Sequence, residues 1–212
     1  MQEIELKLKL PAGMDVREFL EDEDIGGWIV PGSEEELEME AVYYDTLQKL
    51  LQQNHVAFRV RNENGEYVAT LKWDSVSQNG FSVRNECNVE VSGPQPDLSV
   101  FRSDLEEPEL LVLLDHTSGL RPIMTTRYTR RKAALDYEGS VLELAVDQGG
   151  VYAAGGMAPI SEVEVELISG KTETLLKFGR FLMERFGLSP EQKSKFRRGL
   201  ALLEKAEEGK PE

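Results

Sequence analysis

Met1-Gln2-Glu3-Ile4-Glu5-Leu6-Lys7-Leu8-Lys9-Leu10 opens the chain, and from Glu3 onward charged and apolar residues alternate strictly. Along a β-strand successive side chains point to opposite faces. Glu3, Glu5, Lys7 and Lys9 therefore share one face, and Ile4, Leu6, Leu8 and Leu10 the other. Two carboxylates two residues apart stand about 6.5–7 Å apart on such a face, so both can reach one hard, oxygen-seeking cation from the same side. A lysine beside them can hold an anion that the cation also touches. Taken alone, the stretch is an ordinary amphipathic strand with a solvated charged face. What sets this chain apart is that later strands repeat the pattern with complementary charges.

Residues 56–61 place Arg59 and Arg61 on one face. Asn64-Gly65 is a strong hairpin signal, and the return strand, 66–73, carries Lys72. After Asn79-Gly80, residues 81–91 gather Arg84, Glu86, Asn88 and Glu90 on one side. Residues 124–137 carry Arg127, Arg130, Arg131 and Lys132. Glu138-Gly139 turns into 141–147, where Glu143 and Asp147 share a face, and Gly149-Gly150 reads as a turn into a short strand, 151–154. Residues 160–168 contain a second run of alternating carboxylates, Glu162, Glu164 and Glu166.

Helices fall between and after these strands. A short one is expected within 14–22, one or two turns within 46–53, and helix across 97–118 with Leu110, Leu111, Val112, Leu113 and Leu114 as core. The acidic stretch 21–40 mixes loop and edge strand. Residues 172–186 carry Leu175, Phe178, Leu182 and Phe186 on one side, and Gly187 stops the helix. The last helix is expected to start at Ser189 as N-cap, with Pro190 first and Gln192 third. It carries Lys193, Lys195, Arg197 and Arg198, then Leu200, Leu202 and Leu203.

The 212 residues suffice for one large domain, and 40% hydrophobic content allows a sizeable core. The net charge of −15 argues against nucleic acid as a partner, because duplex binders carry a basic excess. One cysteine, Cys87, rules out a disulfide framework or a Cys-rich zinc site, and it is expected as a buried thiol opposite Glu86. The charged, strand-like start is no signal peptide, and no apolar run approaches a membrane span. These features point to a cytoplasmic protein with no membrane partner. Gly170-Lys171-Thr172 resembles the end of a P-loop, but Val165 stands where the glycine is required. His55 and His116 lack ligand spacing, and Tyr43 and Tyr44 read as packing residues.

Mostly hairpin-like connections make the sheet antiparallel. A closed barrel with a polar lumen places the charged sets inside and the apolar sets outside, under helices. The lumen then holds carboxylates from the first and last long strands and a basic ring from the middle ones. Carboxylates need a cation, clustered Arg and Lys need an anion, and phosphate fits the arginine fork.

Glu3-Ile4-Glu5-Leu6-Lys7 resembles the Glu-x-Glu-x-Lys signature of the CYTH domain, the triphosphate tunnel metalloenzyme family. The remaining pieces follow in order: Tyr44-Asp45-Thr46, Phe58-Arg59-Val60-Arg61, Thr70-Leu71-Lys72, Arg84-Asn85-Glu86, Arg127, Glu143 to Asp147 with Gly149, and Glu162-Val163-Glu164. The resemblance covers residues 1–205, leaving 206–212 as a polar tail. It implies an α+β fold, an eight-stranded antiparallel β-barrel enclosing a triphosphate tunnel, with helices packed outside and a C-terminal helix near one tunnel end. It also implies Mg²⁺ or Mn²⁺ and a small anionic substrate.

By family role Glu3 and Glu5 would hold metal with a late pair, Glu162 and Glu164, or with Glu166 if the match shifts by two. Lys7, Arg59, Arg61, Lys72, Arg84 and Arg127 would grip phosphates, and Glu86 and Asp147 would orient basic residues or a metal. Catalysis would draw on Glu3, Glu5, Lys7, Glu86, Asp147 and Glu164. Lys195 or Lys193 would close one tunnel end, and Arg131 joins by strand parity. The activity implied is metal-dependent hydrolysis of the terminal phosphoanhydride of inorganic triphosphate. Nucleoside or thiamine triphosphatase, adenylate cyclase of the class IV type, and a non-catalytic polyphosphate- or nucleotide-binding module are the alternatives. The thiamine branch carries Trp where this chain has Ala57. The segment 159–170 resembles bacterial inorganic triphosphatases, which often carry a helical CHAD domain after this one.

Overall fold

The computed structural model describes residues 2–209. In chain order the elements are β1 (Gln2–Lys9), α1 (Val16–Leu20), α2 (Glu23–Gly26), β2 (Glu35–Asp45), α3 (Leu50–Gln53), β3 (Ala57–Glu63), β4 (Glu66–Gln78), β5 (Phe81–Val91), a 3₁₀ turn (Leu98–Phe101), α4 (Pro108–His116), β6 (Arg121–Tyr137), β7 (Ser140–Ala153), β8 (Gly156–Ser169), α5 (Thr172–Phe186) and α6 (Lys195–Glu208). The strands pair antiparallel in the order β5-β4-β3-β2-β6-β7-β8-β1, and β1 pairs back to β5. Among the described residues this is a closed eight-stranded antiparallel barrel in an α+β fold; the charge alternation predicts the closed barrel, and the family resemblance its eight strands.

Tight turns set the registers. Asn64-Gly65, Asn79-Gly80, Glu138-Gly139 and Ala154-Gly155 all have positive φ at both residues, a requirement of type I′ hairpins, whose twist matches that of the flanking strands. The outward face of the consecutive strands β7, β8 and β1 is apolar. Leu6, Leu8, Leu142, Leu144, Val163 and Val165 are buried against Phe19 of α1 and Leu175, Phe178 and Leu182 of α5. Trp28 packs edge-on against Tyr137 and Phe178 there. On the opposite side Phe58, Leu71 and buried Cys87 pack under Phe101, Leu110 and Leu114. Fully burying a side chain of this size contributes about 1.5–3 kcal/mol, so these two shells supply the drive that closes the barrel.

Four expectations need correction. Gly149-Gly150 is not a turn. Both glycines lie inside the continuous β7, opposite Tyr128 and Arg127, and the chain turns at Ala154-Gly155 instead. A Cβ on Gly149 would collide with the Arg127 carbonyl and the Tyr128 backbone, so glycine is there for close strand approach. Secondly, Ser189-Pro190 does not cap a helix: the two residues pair with Lys9 and Leu8 of β1. The cap is Ser194, whose side chain accepts from the Arg197 amide. Thirdly, the first residues of the expected tail, 206–208, are helical, because α6 runs to Glu208; residues 210–212 of that tail lie outside the described ones. Fourthly, the helix expected across 97–118 divides into the 3₁₀ turn and α4.

α6 closes one end of the barrel. Tyr43, Met124, Tyr128, Val151 and Ile160 form an apolar layer with Leu200 and Phe196 of α6, and Gly199 lets the helix approach Met124 and Val151. No helix among the described residues is long and apolar enough to cross a membrane. Gly149→Ala is expected to lower unfolding free energy by about 2 kcal/mol or more, in the overpacking range. Gly93→Ala, with no atom near its would-be Cβ, is the control. Urea denaturation of both variants checks this; equal midpoints would refute the packing account.

Candidate active site

Because β1 pairs with β5 on one side and β8 on the other, its inward Glu3, Glu5 and Lys7 meet charges from both neighbours. Glu3 accepts from Arg84 Nε at 2.5 Å and Nη2 at 3.0 Å, and from Lys72 Nζ at 3.2 Å. Lys72 also pairs with Glu86. Glu5, 3% exposed, accepts from Ser82 Oγ at 3.1 Å and lies 3.3 Å from Lys7 Nζ and 2.9 Å from Arg84 Nη2. Lys7 reaches across to Glu164 of β8.

A second cluster lies toward α6. Arg130 forks onto Asp147 with two bonds of 2.7 Å and reaches Glu164 at 2.5 Å. Lys195 is the first residue of α6, so the helix start delivers its Nζ into the lumen, 2.6 Å from Asp147, 2.6 Å from Glu162 and 2.9 Å from Glu164. The same ammonium lies 4.9 Å from the centre of the Tyr128 ring. Arg198, one turn on, pairs with Glu162.

The expected residues divide clearly. Glu3, Glu5, Lys7, Arg59, Arg61, Lys72, Arg84, Glu86, Asp147, Glu162, Glu164, Glu166 and Lys195 belong to strand faces or a helix start that converge on the lumen. Arg127 and Arg131 do not. Arg127 is exposed and pairs with Glu40, and Arg131 pairs with Glu36, both on the outer surface. Opposite Asp147 stands Arg130, so the even positions of β6 face inward. Lys193 is exposed in the approach to α6. The residues missed include Arg130, Arg198 on Glu162, Ser82 on Glu5, and Tyr43, whose hydroxyl accepts from Arg59 Nη1 at 3.2 Å rather than simply filling space.

Burial alone acts against every charge here, and partners decide the outcome. Burial disfavours ionised Glu5, yet Lys7 and Arg84 hold its carboxyl below the usual range. Burial likewise opposes the Lys7 ammonium, but Glu164 and Glu5 push its pKa up. Lys72 goes the other way: burial and the Arg84 charge outweigh Glu3 and Glu86. Glu166 is the exception among the carboxylates. It faces Glu5 on one neighbouring strand and Glu143 on the other, and among the described residues no cation lies within ion-pair distance of it. Burial and the charges of Glu3, Glu143, Glu86 and Glu5 push its pKa up to about 7.

This donor set fits a hard divalent cation. Asp147, Glu162 and Glu164 each offer a carboxylate oxygen, all within 4.8 Å of one another, a cluster in which the Lys195 ammonium sits as the present counter-charge. Glu166 brings a carboxyl with no cation within ion-pair distance among the described residues. Oxygen-only ligation of this sort suits hard divalent cations as a class.

A carboxyl with a raised folded-state pKa contributes its full stability below the ordinary 4.5 and loses it as pH rises through about 7. In the metal-free protein Glu166→Gln should therefore gain on the wild type between those values. The gain is on the order of 1–2 kcal/mol once solvent screening is allowed for. Urea denaturation with chelator at pH 4.5 and 7.5 reads this difference; parallel behaviour of the two proteins would contradict it.

Comparison with known proteins agrees with this architecture. The CYTH domain matches residues 1–200. The inorganic triphosphatase of Haemophilus influenzae is 29% identical over 204 residues, an alignment that covers 95% of this chain and 55% of that protein. The chain thus spans about half the length of the curated relative it matches. Among solved structures, a Hippeastrum protein described as having a dominant triphosphatase activity superposes with a TM-score of 0.63 at 18% identity, covering 94% of this chain and 95% of that one. The PH1819 protein of Pyrococcus horikoshii OT3 gives 0.55 at 20% identity, covering 96% and 99%. At such identities the two structures bear on the fold alone. With a domain match that runs from the first strand into the last helix, the chain belongs to the CYTH domain family.

Proposed function

We propose that the lumen binds a linear triphosphate with a divalent cation and hydrolyses its terminal phosphoanhydride. The observation that carries this reading is Arg59. It is 8% exposed, no carboxylate lies within ion-pair distance of it among the described residues, and its Nε has no hydrogen-bond partner. A buried guanidinium without an acid calls for an anion. Arg61, Arg84, Lys72, Lys7, Arg130 and Lys195 surround the same lumen, and their fork and ammonium donors suit phosphate oxygens. The 29% identity to an inorganic triphosphatase supports the same substrate class.

Glu3, Glu5 and Glu166, with Glu162 and Glu164, are the residues that would hold Mg²⁺ or Mn²⁺. Bound there, the cation would supply Lewis acidity and charge neutralisation. The arginines and lysines bind and align the chain of phosphates, an entropic as well as an electrostatic contribution. A water oxygen bonds to the terminal phosphorus as the bridging P–O bond breaks, giving orthophosphate and diphosphate. Lys7, Arg84, Arg130 and Lys195 offset charge as the diphosphate leaves. No Ser or Cys nucleophile is needed, consistent with Cys87 lying in the outer core. Ala57, the first residue of β3 and two before Arg59, offers no aromatic platform for a thiazole ring, which favours inorganic triphosphate over thiamine triphosphate.

Phosphate release from inorganic triphosphate, ATP and thiamine triphosphate, each with Mg²⁺, Mn²⁺ or chelator, tests the reading. Metal-dependent release mainly from inorganic triphosphate is expected. No release from any of the three would overturn it in favour of a cyclase or a binding module. Within that assay Glu3→Gln and Glu5→Gln should each lose about 10²-fold or more in kcat and keep metal-free tripolyphosphate binding. Arg130→Gln should lose a comparable factor and Arg127→Gln less than twofold; a reversed order for these two would disprove the assigned register.

A further inference from the structure

Among the inward cations Arg59 is oriented by an aromatic residue rather than by an acid. Arg84, Lys72, Lys7, Arg130 and Lys195 are each held by carboxylates, and Arg61 pairs with Glu63. Arg59 instead donates to the Tyr43 hydroxyl, and its guanidinium carbon lies 5.9 Å from the centre of the Tyr43 ring. The two residues are direct cross-strand partners on β2 and β3. The Tyr43 ring also stacks on Phe196 of α6, with centroids 5.4 Å apart and planes at 28°. Phe196 follows Lys195, so one helix start seats both the lysine in the carboxylate cluster and the ring against Tyr43.

We propose that Tyr43 is a positioning residue: it fixes the plane of the Arg59 guanidinium for phosphate binding and ties that plane to the seating of α6. The inference rests on the triphosphate reading above. An arginine stem has several rotatable bonds, and a guanidinium without a carboxylate has no strong partner to select among its rotamers. The phenol oxygen supplies that partner at no cost in charge. A carboxylate in the same place would orient the guanidinium equally well but would neutralise it and repel the incoming anion. Tyr43 thus leaves the whole positive charge of Arg59 available to phosphate. The contact is electrostatic as well as geometric: burial disfavours the ionised phenol, yet Arg59 holds its pKa below the ordinary value.

The test is a double-mutant cycle on the full chain with Tyr43→Phe, Arg59→Gln and the double variant. Metal-free titration with sodium tripolyphosphate, followed by calorimetry, gives the affinities; the remaining lumen cations keep binding measurable in the Arg59→Gln background. Tyr43→Phe keeps the ring and its stack on Phe196, so the melting temperature should stay within about 2 °C of wild type. It should weaken tripolyphosphate binding about tenfold, as expected for loss of a hydrogen bond to a charged group. In the Arg59→Gln background the same substitution should change affinity less than twofold. During hydrolysis KM should rise about tenfold while kcat moves less than threefold. Unchanged affinity in Tyr43→Phe, or an equal loss with and without Arg59, would overturn the positioning role and leave the triphosphate reading standing. Failure of the wild type to bind tripolyphosphate would remove both.

Discussion

Charges taken out of water must be repaid by other charges, and this molecule takes an unusual number of them inside one closed barrel. Asp147 and Glu162 have no exposed surface, and Glu5, Lys7 and Lys195 are 3%, 5% and 6% exposed. The desolvation penalty is several kcal/mol per ion and can exceed the Coulombic return of a buried pair. Stability is therefore drawn mainly from the apolar shells outside the barrel, where β1 and β8 lie under α5 and where β3 to β5 lie under α4. The ionic lumen is tolerated because almost every carboxylate in it meets a cation in good geometry. It also fixes register, because a one-residue slip of β1 would put Glu3, Glu5 and Lys7 under α5, leave Arg84 without its acids and deprive Glu164 of Lys7.

The start of α6 shows the same accounting at one residue. An ammonium in the first turn of a helix opposes the positive end of the helix dipole, so Lys195 is poorly placed by local rules. Three carboxylates within hydrogen-bond distance of its Nζ reverse that balance. The pairing of Ser189 and Pro190 with β1 anchors the connection, and Ser194 then caps the helix at the barrel mouth. Lys195 thereby occupies the place where Asp147, Glu162 and Glu164 would otherwise repel one another. Cations and anions that enter the lumen must redistribute these contacts rather than fill empty space.

The barrel was legible in the sequence because a two-residue period sorts side chains by face without any knowledge of neighbours. Glu3 to Leu10, Arg59 with Arg61, and Glu162 to Glu166 each declare a charged face, and the helix 172–186 ends where Gly187 adopts positive φ. The run Arg127-Tyr128-Thr129-Arg130-Arg131-Lys132 is different, since it carries basic residues in both phases. Periodicity cannot choose between them; the register of β6 against Asp147 does. Similarly, Ser189-Pro190 and Ser194 are both acceptable local starts for a helix, and a tertiary pairing with β1 selected the second. Tyr43 carried no signal at all, because its role depends on Arg59 standing directly across from it.

On the proposed reading, the overall charge of −15 and the basic lumen would act on an incoming triphosphate in opposite directions. At long range the surface repels a polyanion and slows its approach, an effect that salt weakens. At short range Arg59, Arg61, Arg84 and Arg130 would attract it. On the proposed reading a triphosphate that arrives with its divalent cation meets less of the first field and still satisfies the second, because its exposed phosphate oxygens remain free for the guanidinium forks. The same pairing would answer the problem of Glu166, whose carboxyl has acidic neighbours and no counter-ion among the described residues. Anion and cation would thus each remove a penalty that the other leaves, and a lumen built with both deficits would favour the two together over either alone.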